Sequence, residues 1–226
     1  MECKRCGECC RGGGPALHHD DKAVIEKGVI TRKHMVTLRR GEMAIDKATG
    51  VLEPIREEII KLKGIGKQWV CCFWNHENCD CTIYADRPAE CRALECWDTS
   101  ALEDMYRIDR LTRQDLVNTD SGLWEIITEH ESRCSLNALN DLAQAWLDGD
   151  EKAGADIITA LNYDEAIRDL MVERTGAAEE ELDFYFGRPL VMSLTGFGVK
   201  ARKWGEDYQF SRVETGADAS AENQDS

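Results

Sequence analysis

Four cysteines near the start of this 226-residue chain constrain what the segment can become. Cys3, Cys6 and Cys9 follow a C-x2-C-x2-C pattern, and Cys10 comes directly after them. A segment in this position has few apolar neighbours, so we do not expect the thiols to serve packing. Cysteines at this spacing are typical of metal sites.

The first cluster is incomplete as a ligand set. A ferredoxin-type run places its fourth cysteine after three further residues, and this chain has Gly13 there. The missing ligands must therefore lie elsewhere, and a second cluster stands between Trp69 and Trp97. That cluster contains Cys71, Cys72, Cys79, Cys81, Cys91 and Cys96. We predict that the two clusters converge in the fold.

The expected compartment decides how the thiols are interpreted. The chain is long enough to bury a core without covalent cross-links, and its longest apolar run, Trp69 to Trp74, is far shorter than a membrane span. We therefore expect a cytoplasmic protein. In a reducing compartment clustered cysteines bind metals more often than they form disulfides. Disulfides and inert buried thiols remain the alternatives.

The net charge of −15 is unevenly distributed. Residues 1–100 contain equal numbers of acidic and basic side chains, so the rest of the chain carries the whole excess. Such a field repels phosphate backbones and anionic lipids, so we expect neither a nucleic acid nor a membrane partner. Most acidic residues are expected to solvate helical faces. A protein partner stays open, and the sequence does not fix the oligomeric state.

The sequence predicts an α+β fold, with short antiparallel strands in a small cysteine-rich region and a mostly helical C-terminal part. Strand-like runs cover residues 35–38, 58–62 and 68–73, in one small sheet. We divide the chain into a metal- or cluster-binding domain (1–97), an acidic helical region packed on it (98–213) and a disordered acidic tail (214–226).

Helix boundaries follow from capping residues and glycines. Asp20 and Asp21 are predicted to form the N-cap of a short helix, and a capping box is predicted at Ser100. An apolar stripe from Leu136 to Trp146 stops before Gly149. Further helices are predicted from Asn162 to Gly176, from Glu179 to Phe186, and from Pro189 toward Phe197.

Some details of the second cluster also follow from geometry. Neighbouring strand residues point to opposite faces, so one of Cys71 and Cys72 is expected in the core. Pro88 suits the first position of a helix that carries Cys91. Cys91 and Cys96 can reach one site only if that helix ends between them. Cys134 is expected to be a buried small hydrophobe.

We do not expect the histidines to be the main metal ligands. His18 and His19 lie near the first thiols, but surface positions are the more common role for such residues. We expect His34, His76 and His130 to be ordinary surface or half-buried residues. No catalytic residue is assigned.

The motifs together resemble the CxxCxxCC, or YkgJ-like, family, described in terms of zinc or iron chelation. They are Cys3-x2-Cys6-Gly-x-Cys9-Cys10-Arg11, Cys71-x-Phe73, Cys81-Thr-Ile-Tyr84, Arg87-Pro88 and Cys91-Arg92. Gly13-Gly-Pro15, Arg40-Gly-Glu42, Cys96-Trp97 and Gly187-Arg-Pro-Leu190 resemble a longer subgroup. Only the last of these lies outside residues 1–97.

The resemblance implies a set of ligands and of neighbouring groups. The implied metal ligands are Cys3, Cys6, Cys9, Cys10, Cys71, Cys81, Cys91 and Cys96. Cationic residues would offset the thiolate charge and donate N–H groups, and two aromatic residues lie beside the thiols. These are Lys4, Arg5, Arg11, Arg87 and Arg92, with Tyr84 and Trp97. Cys72, Cys79 and Cys134 fall outside the pattern.

Several functions are compatible with these motifs. Four thiolates suit Zn2+ and an iron–sulfur cluster alike, and the ferredoxin-type spacing slightly favours a cluster with a redox or cofactor-carrying role. A structural zinc module that mediates a protein–protein interaction is the first alternative. A methylase-like group-transfer enzyme is the second, since flagellin lysine methylases carry similar motifs. Against it, the chain shows no G-x-G loop after a strand.

Overall fold

The computed structural model describes residues 6–46, 49–205 and 207–213. Short antiparallel strand pairs occupy the N-terminal half of the described chain, and helices dominate the C-terminal half. The α+β prediction is confirmed. The predicted site residues Cys3, Lys4 and Arg5 lie outside the described residues, as does the predicted tail, 214–226. The division into domains stays a prediction.

The strands form separate two-stranded pairs rather than the single small sheet that was predicted. In chain order they are β1 (Met35–Leu38), β2 (Met43–Ile45), β3 (Leu52–Pro54), β4 (Ile59–Leu62), β5 (Gly64–Ile65), β6 (Val70–Cys71), β7 (Trp74–Asn75), β8 (Asp80–Cys81), β9 (Val199–Trp204) and β10 (Asp207–Arg212). The pairs are β1–β4, β2–β3, β5–β6, β7–β8 and β9–β10.

Two features of these strands differ from the sequence prediction. The strand expected over 68–73 is reduced to β6, because Trp69 adopts a positive φ of 55° and ends the extended backbone. The hairpin β9–β10 was missed, since its strands alternate charged and apolar residues in a region expected to be helical.

Helices carry the remainder of the described chain. They are α1 (Glu8–Arg11), α2 (Lys22–Glu26), α3 (Ala89–Ala93), α4 (Ser100–Met105), α5 (Arg113–Leu116), α6 (Gly122–Arg133), α7 (Leu136–Leu147), α8 (Glu151–Thr175), α9 (Leu182–Phe186) and α10 (Leu190–Ser193). Single 3-10 turns cover His19–Asp21, Arg32–His34, Tyr84–Asp86, Glu179–Glu181 and Leu194–Phe197.

Helix ends were predicted better than helix starts. α7 stops before Gly149, and α8 ends at Gly176, whose φ of 68° suits glycine. The predicted start at Asn162 is wrong, because α8 begins behind the capping carboxylate of Asp150 and continues through Asn162. α4 begins behind Thr99, whose hydroxyl donates to Glu103, so the predicted cap at Ser100 is one residue late.

Two hydrophobic clusters form the core. The first joins the N-terminal strands to α9, with Ile60 and Leu62 packed among Phe184 and Phe186. The second lies between α7 and α8 and is closed by α10 and β9. Residues from both halves of the chain therefore share the first cluster. No helix in the described ranges is long and apolar enough to cross a membrane.

Candidate metal centre

Gly7 allows the first thiols to approach the rest of the site. Its φ is 76°, and a Cβ atom there would lie 2.3 Å from Cζ2 of Trp74. The Trp74 ring therefore packs directly on the backbone between Cys6 and Cys9. The chain then turns into α1, where the N–H of Arg11 donates to the Gly7 carbonyl over 2.8 Å. This turn holds Cys9 and Cys10 against β6.

The glycines after α1 permit a second close approach. A Cβ atom at Gly14 would lie 2.4 Å from the carbonyl oxygen of Leu62, and one at Gly13 would lie 3.1 Å from the Trp69 ring. Arg188 stacks on the same ring, 4.8 Å from its centroid, and forms a 3.1 Å ion pair with Glu42. Three of the dispersed subgroup motifs thus meet around Trp69.

Cys71, the last residue of β6, and Cys72 differ in burial, but their thiols hydrogen-bond to each other. Cys71 is buried and faces the thiols of α1, whereas the half-buried Cys72 directs its Sγ at the His34 carbonyl, 4.0 Å away. Both pack in or against the first core cluster. One of the pair, Cys71, is in the core as the sequence predicted, but the mutual hydrogen bond shows that the expected separation onto opposite faces is wrong.

Helix α3 carries Cys91 to the site and is fixed at its start by residues far away in sequence. The buried carboxylate of Asp21 accepts the N–H of Ala89 over 2.8 Å, and Glu90 accepts the N–H of Ala16 over 2.8 Å. Asp21 thus closes the turn at His18 and also holds α3, rather than serving as the side-chain cap of α2. Pro88 precedes the first helical residue instead of occupying it.

Four thiols from three elements line one cavity of about 810 Å3. They belong to Cys9 and Cys10 of α1, Cys71 of β6 and Cys91 of α3. The Sγ atoms of Cys9 and Cys10 lie 4.0 Å apart. Cys81, at the end of β8, is close enough to Cys9 and Cys71 for their charge to affect its pKa. The two sequence clusters therefore converge in space.

The thiols influence each other's ionisation. A hydrogen bond with Cys10 lowers the pKa of Cys9 to about 6, and the same bond raises the pKa of Cys10. Burial, followed by repulsion from neighbouring thiolates, raises the pKa of Cys81 and of Cys91. Cys9 is thus the readiest thiolate of the group, whereas the others need a nearby positive charge to ionise.

Two predicted ligands lie apart from this group. Cys6 is exposed before α1, and Cys96 is exposed in the turn that follows α3. The helix does end between Cys91 and Cys96, at Ala93, yet Cys96 does not line the cavity. Trp97 is 42% exposed beside it. Cys79, outside the family pattern, has a φ of 50° in the exposed turn between β7 and β8.

Among the predicted neighbouring cations that the structure describes, Arg11 pairs with the Glu8 carboxylate, whereas Arg87 and Arg92 bond to backbone carbonyls. The guanidinium of Arg87 stacks 4.1 Å from the Tyr84 ring centroid and donates to the Tyr84 carbonyl. Arg92 donates to the Arg87 carbonyl over 2.7 Å. Burial raises the pKa of Cys81 and the charge of Arg87 offsets a part of that rise, while the charge of Arg11 adds to the lowering of the Cys9 pKa that the Cys10 hydrogen bond causes. These two cations therefore act on the thiols.

The donor set fits a metal held by thiolates. A tetrahedral site with metal–sulfur bonds of about 2.3 Å has sulfur atoms about 3.8 Å apart. The Cys9 and Cys10 sulfurs lie 4.0 Å apart, but no three of the described thiols lie within 4.8 Å of one another, so the fit is one of donor chemistry. None of the ten described cysteines forms a disulfide. An all-sulfur set suits zinc or an iron–sulfur cluster.

A second group of potential ligands lies in the other core cluster. The ligand atoms of His130, Cys134 and Asp164 are within 4.8 Å of one another, and all three residues are buried. Asp164 already accepts from His130 at 2.7 Å, Arg168 at 3.0 Å and the Leu190 N–H at 2.9 Å. Because both carboxylate oxygens are used and a guanidinium is adjacent, we interpret this group as a structural polar network.

Two histidine predictions are wrong. His130 is fully buried rather than a surface or half-buried residue, and its ring packs 4.8 Å from that of Phe186. His18 is buried too, between the Ile108 carbonyl and Glu90. A polar residue that has its hydrogen-bond partners far away in sequence gives no local signal of burial. Cys134 is buried, as predicted.

One comparison with known proteins identifies the family. The family model CxxCxxCC, described as "Putative zinc- or iron-chelating domain", matches residues 2–134, a span that contains all the cysteines of the chain. No curated protein and no solved structure matches the chain. The description names the same two metals, zinc and iron, that the sequence predicted. With its matched span, its cysteine spacing and its converging thiols, the chain belongs to the CxxCxxCC family.

Proposed function

We propose that this chain holds an iron–sulfur cluster on Cys9, Cys10, Cys71 and Cys91, with Cys81 adjacent, and that the cluster has a redox or cofactor-carrying role. The observation that supports the proposal is the convergence of these thiols, from separate elements, on the wall of one cavity. When bound, such a cluster supplies one-electron chemistry.

The position of the thiols favours a reactive centre over a structural one. A structural zinc site is closed by its four protein ligands, whereas here open space of about 810 Å3 adjoins the sulfur atoms. Cys81 also brings a fifth thiol to the group. Cys6, the middle cysteine of the ferredoxin-type run, does not line the cavity. The open space and the fifth thiol therefore support the cluster better than the ferredoxin-type spacing does.

The surrounding residues would set the environment of the centre. Burial of Cys71 among Phe73 and other core residues keeps water from one side. Arg11 and Arg87 offset part of the thiolate charge on the other. Since reduction adds negative charge, nearby cations favour the reduced form of a cluster.

Metal analysis on protein purified without oxygen tests the proposal. We expect iron and acid-labile sulfide in similar amounts, together with broad visible charge-transfer absorbance. Zinc alone, with no visible absorbance, would contradict the cluster and leave a thiolate site in place. Protein that takes up neither metal, also after anaerobic reconstitution, would overturn the whole proposal.

A structural zinc module is a second candidate, and the short strand pairs favour it. β5–β6 and β7–β8 each pair only two residues per strand, and such short pairs are not stable alone. Zinc on Cys71 and Cys81 would cross-link them and contribute about 10–16 kcal/mol of binding free energy to folding. The acidic helical half would then serve a protein partner. A chelator that removes zinc and leaves the fold intact would argue against this candidate.

A further inference from the structure

We propose that the cavity beside the thiols binds a small organic cation with an apolar body, an inference that rests on the proposed metal centre. The cavity of about 810 Å3 has the size of a small-molecule site. Its apolar wall includes Leu94, Leu102, Tyr106 and Ile108, from the end of α3, α4 and the turn after α4.

This apolar wall is accessible. Ile108 is 63% exposed although it lines a concave site. Leu94 and Leu102 are half-buried beside it. A contiguous apolar surface that faces a cavity is typical of a ligand contact, because its burial on binding is favourable. The body of the ligand is therefore expected to be hydrocarbon or aromatic.

Residues that hold α4 in place also hold this wall in place. The Asp98 carboxylate accepts both the N–H of Ser100 and its hydroxyl, at 3.0 and 2.6 Å. The Thr99 hydroxyl donates to Glu103 over 2.5 Å. At the far end, the Ile108 carbonyl lies 2.8 Å from Nδ1 of the buried His18. The wall is thus preformed, which lowers the entropy cost of binding.

The charges around the cavity select a cation. Three carboxylates line it, from Glu90, Glu103 and Asp104, against the two cations Lys61 and Arg107. The Arg107 guanidinium is already paired with Asp46 at 2.5 Å. The four thiolates of the proposed centre would add further negative charge. The net charge of −15 on the chain acts in the same direction, so an anion would meet repulsion.

Three six-carbon probes separate the charge from the apolar body. We expect hexylammonium to bind the metal-loaded protein most tightly, hexanol more weakly, and hexanoate at least about tenfold more weakly than hexylammonium. Isothermal titration calorimetry gives the three affinities. Equal binding of hexanoate and hexylammonium would overturn the preference for a cation, as would equal binding of hexanol.

Two variants locate the site. Leu102→Trp fills the cavity and is expected to weaken hexylammonium binding at least about tenfold, whereas Leu170→Trp, on the exposed side of α8, should not. Asp104→Lys, at an exposed position, should reverse the order of hexylammonium and hexanoate, and Asp141→Lys on α7 should not. Unchanged hexylammonium affinity in both cavity variants would overturn the proposal.

Metal content and circular dichroism of every variant keep the two proposals separate. A cavity variant that retains its metal and its helical signal but loses hexylammonium supports the ligand site. If the unmodified protein takes up no metal yet binds hexylammonium in this cavity, the proposed metal centre fails and the ligand site stands.

Discussion

The carboxylate of Asp21 accepts a hydrogen bond from the backbone N–H of Ala89, 2.8 Å away, and so fixes the helix that carries Cys91. The same carboxylate accepts the N–H of His18 over 2.9 Å. Asp21 is fully buried, although burial alone raises its pKa. A single side chain therefore joins the segment after the first thiols to the segment that carries the last thiol of the cavity.

Asp21→Ala tests this connection. The change leaves two buried N–H groups without an acceptor, at a cost of about 1–3 kcal/mol each, and it frees the start of α3. We expect a lower free energy of unfolding in urea and a lower metal content. Asp20→Ala, at the exposed neighbouring position, is the matched control. Equal stability of the two variants would show that Asp21 does not hold α3.

Cys71→Ser and Cys72→Ser form a pair that distinguishes ligand from packing residue. The two residues are adjacent, but only Cys71 lines the cavity. We expect Cys71→Ser to lose most of its bound metal, because serine replaces a thiolate ligand. Cys72→Ser should retain it. Metal per chain and visible absorbance, measured after anaerobic purification, decide the point, and loss in both variants or in neither would contradict the assignment.

Gly7→Ala and Gly28→Ala distinguish the effect of losing a close contact from the effect of an unfavourable backbone conformation. Both glycines have positive φ, 76° and 74°, but only at Gly7 would a Cβ atom meet the Trp74 ring, whereas nothing lies within 4 Å of one at Gly28. The conformation alone costs an alanine about 1–2 kcal/mol. We therefore expect Gly28→Ala to lose about that much stability and keep its metal. Gly7→Ala should lose more stability and also metal, as thermal unfolding and metal analysis would show.

The acid stability of the fold should depend on Glu131. Burial raises the pKa of this carboxyl, but the guanidinium groups of Arg39 and Arg113, at 2.7 Å each, outweigh burial and hold the pKa below its ordinary value of 4.5. A lowered carboxyl pKa contributes stability above the ordinary value, and this stability disappears as pH falls through the folded-state value. We expect the free energy of unfolding to decline below about pH 4.5.

Glu131→Gln should flatten this decline and cost about 2 kcal/mol at neutral pH. This loss of stability is smaller than for a fully buried pair, because 33% of the Glu131 side chain is exposed. Its partner Arg39 is only 1% exposed. Glu129→Gln, on the exposed face of the same helix beside Arg133, is the control and should change little. Urea unfolding from pH 7 to about pH 3 measures both.

Local patterns predicted the features that depend on a few neighbouring residues. The helix stop at Gly176 and the strand at Met35 were predicted correctly, because each follows from the backbone geometry of its own segment. The start of α8 was not recognised. Asn162 resembles a helix start, but packing of α8 against α7 continues the helix through it.

The sequence by itself predicted that thiols carry the chemistry, since they combine the spacing and number that a metal site requires. Only the tertiary structure decided that Cys9, Cys10, Cys71 and Cys91 share one cavity while Cys6 and Cys96 remain exposed. It also placed His18 and His130 in the interior. The physical reason is that spacing describes positions along one chain segment, whereas convergence depends on long-range contacts such as that between Asp21 and Ala89.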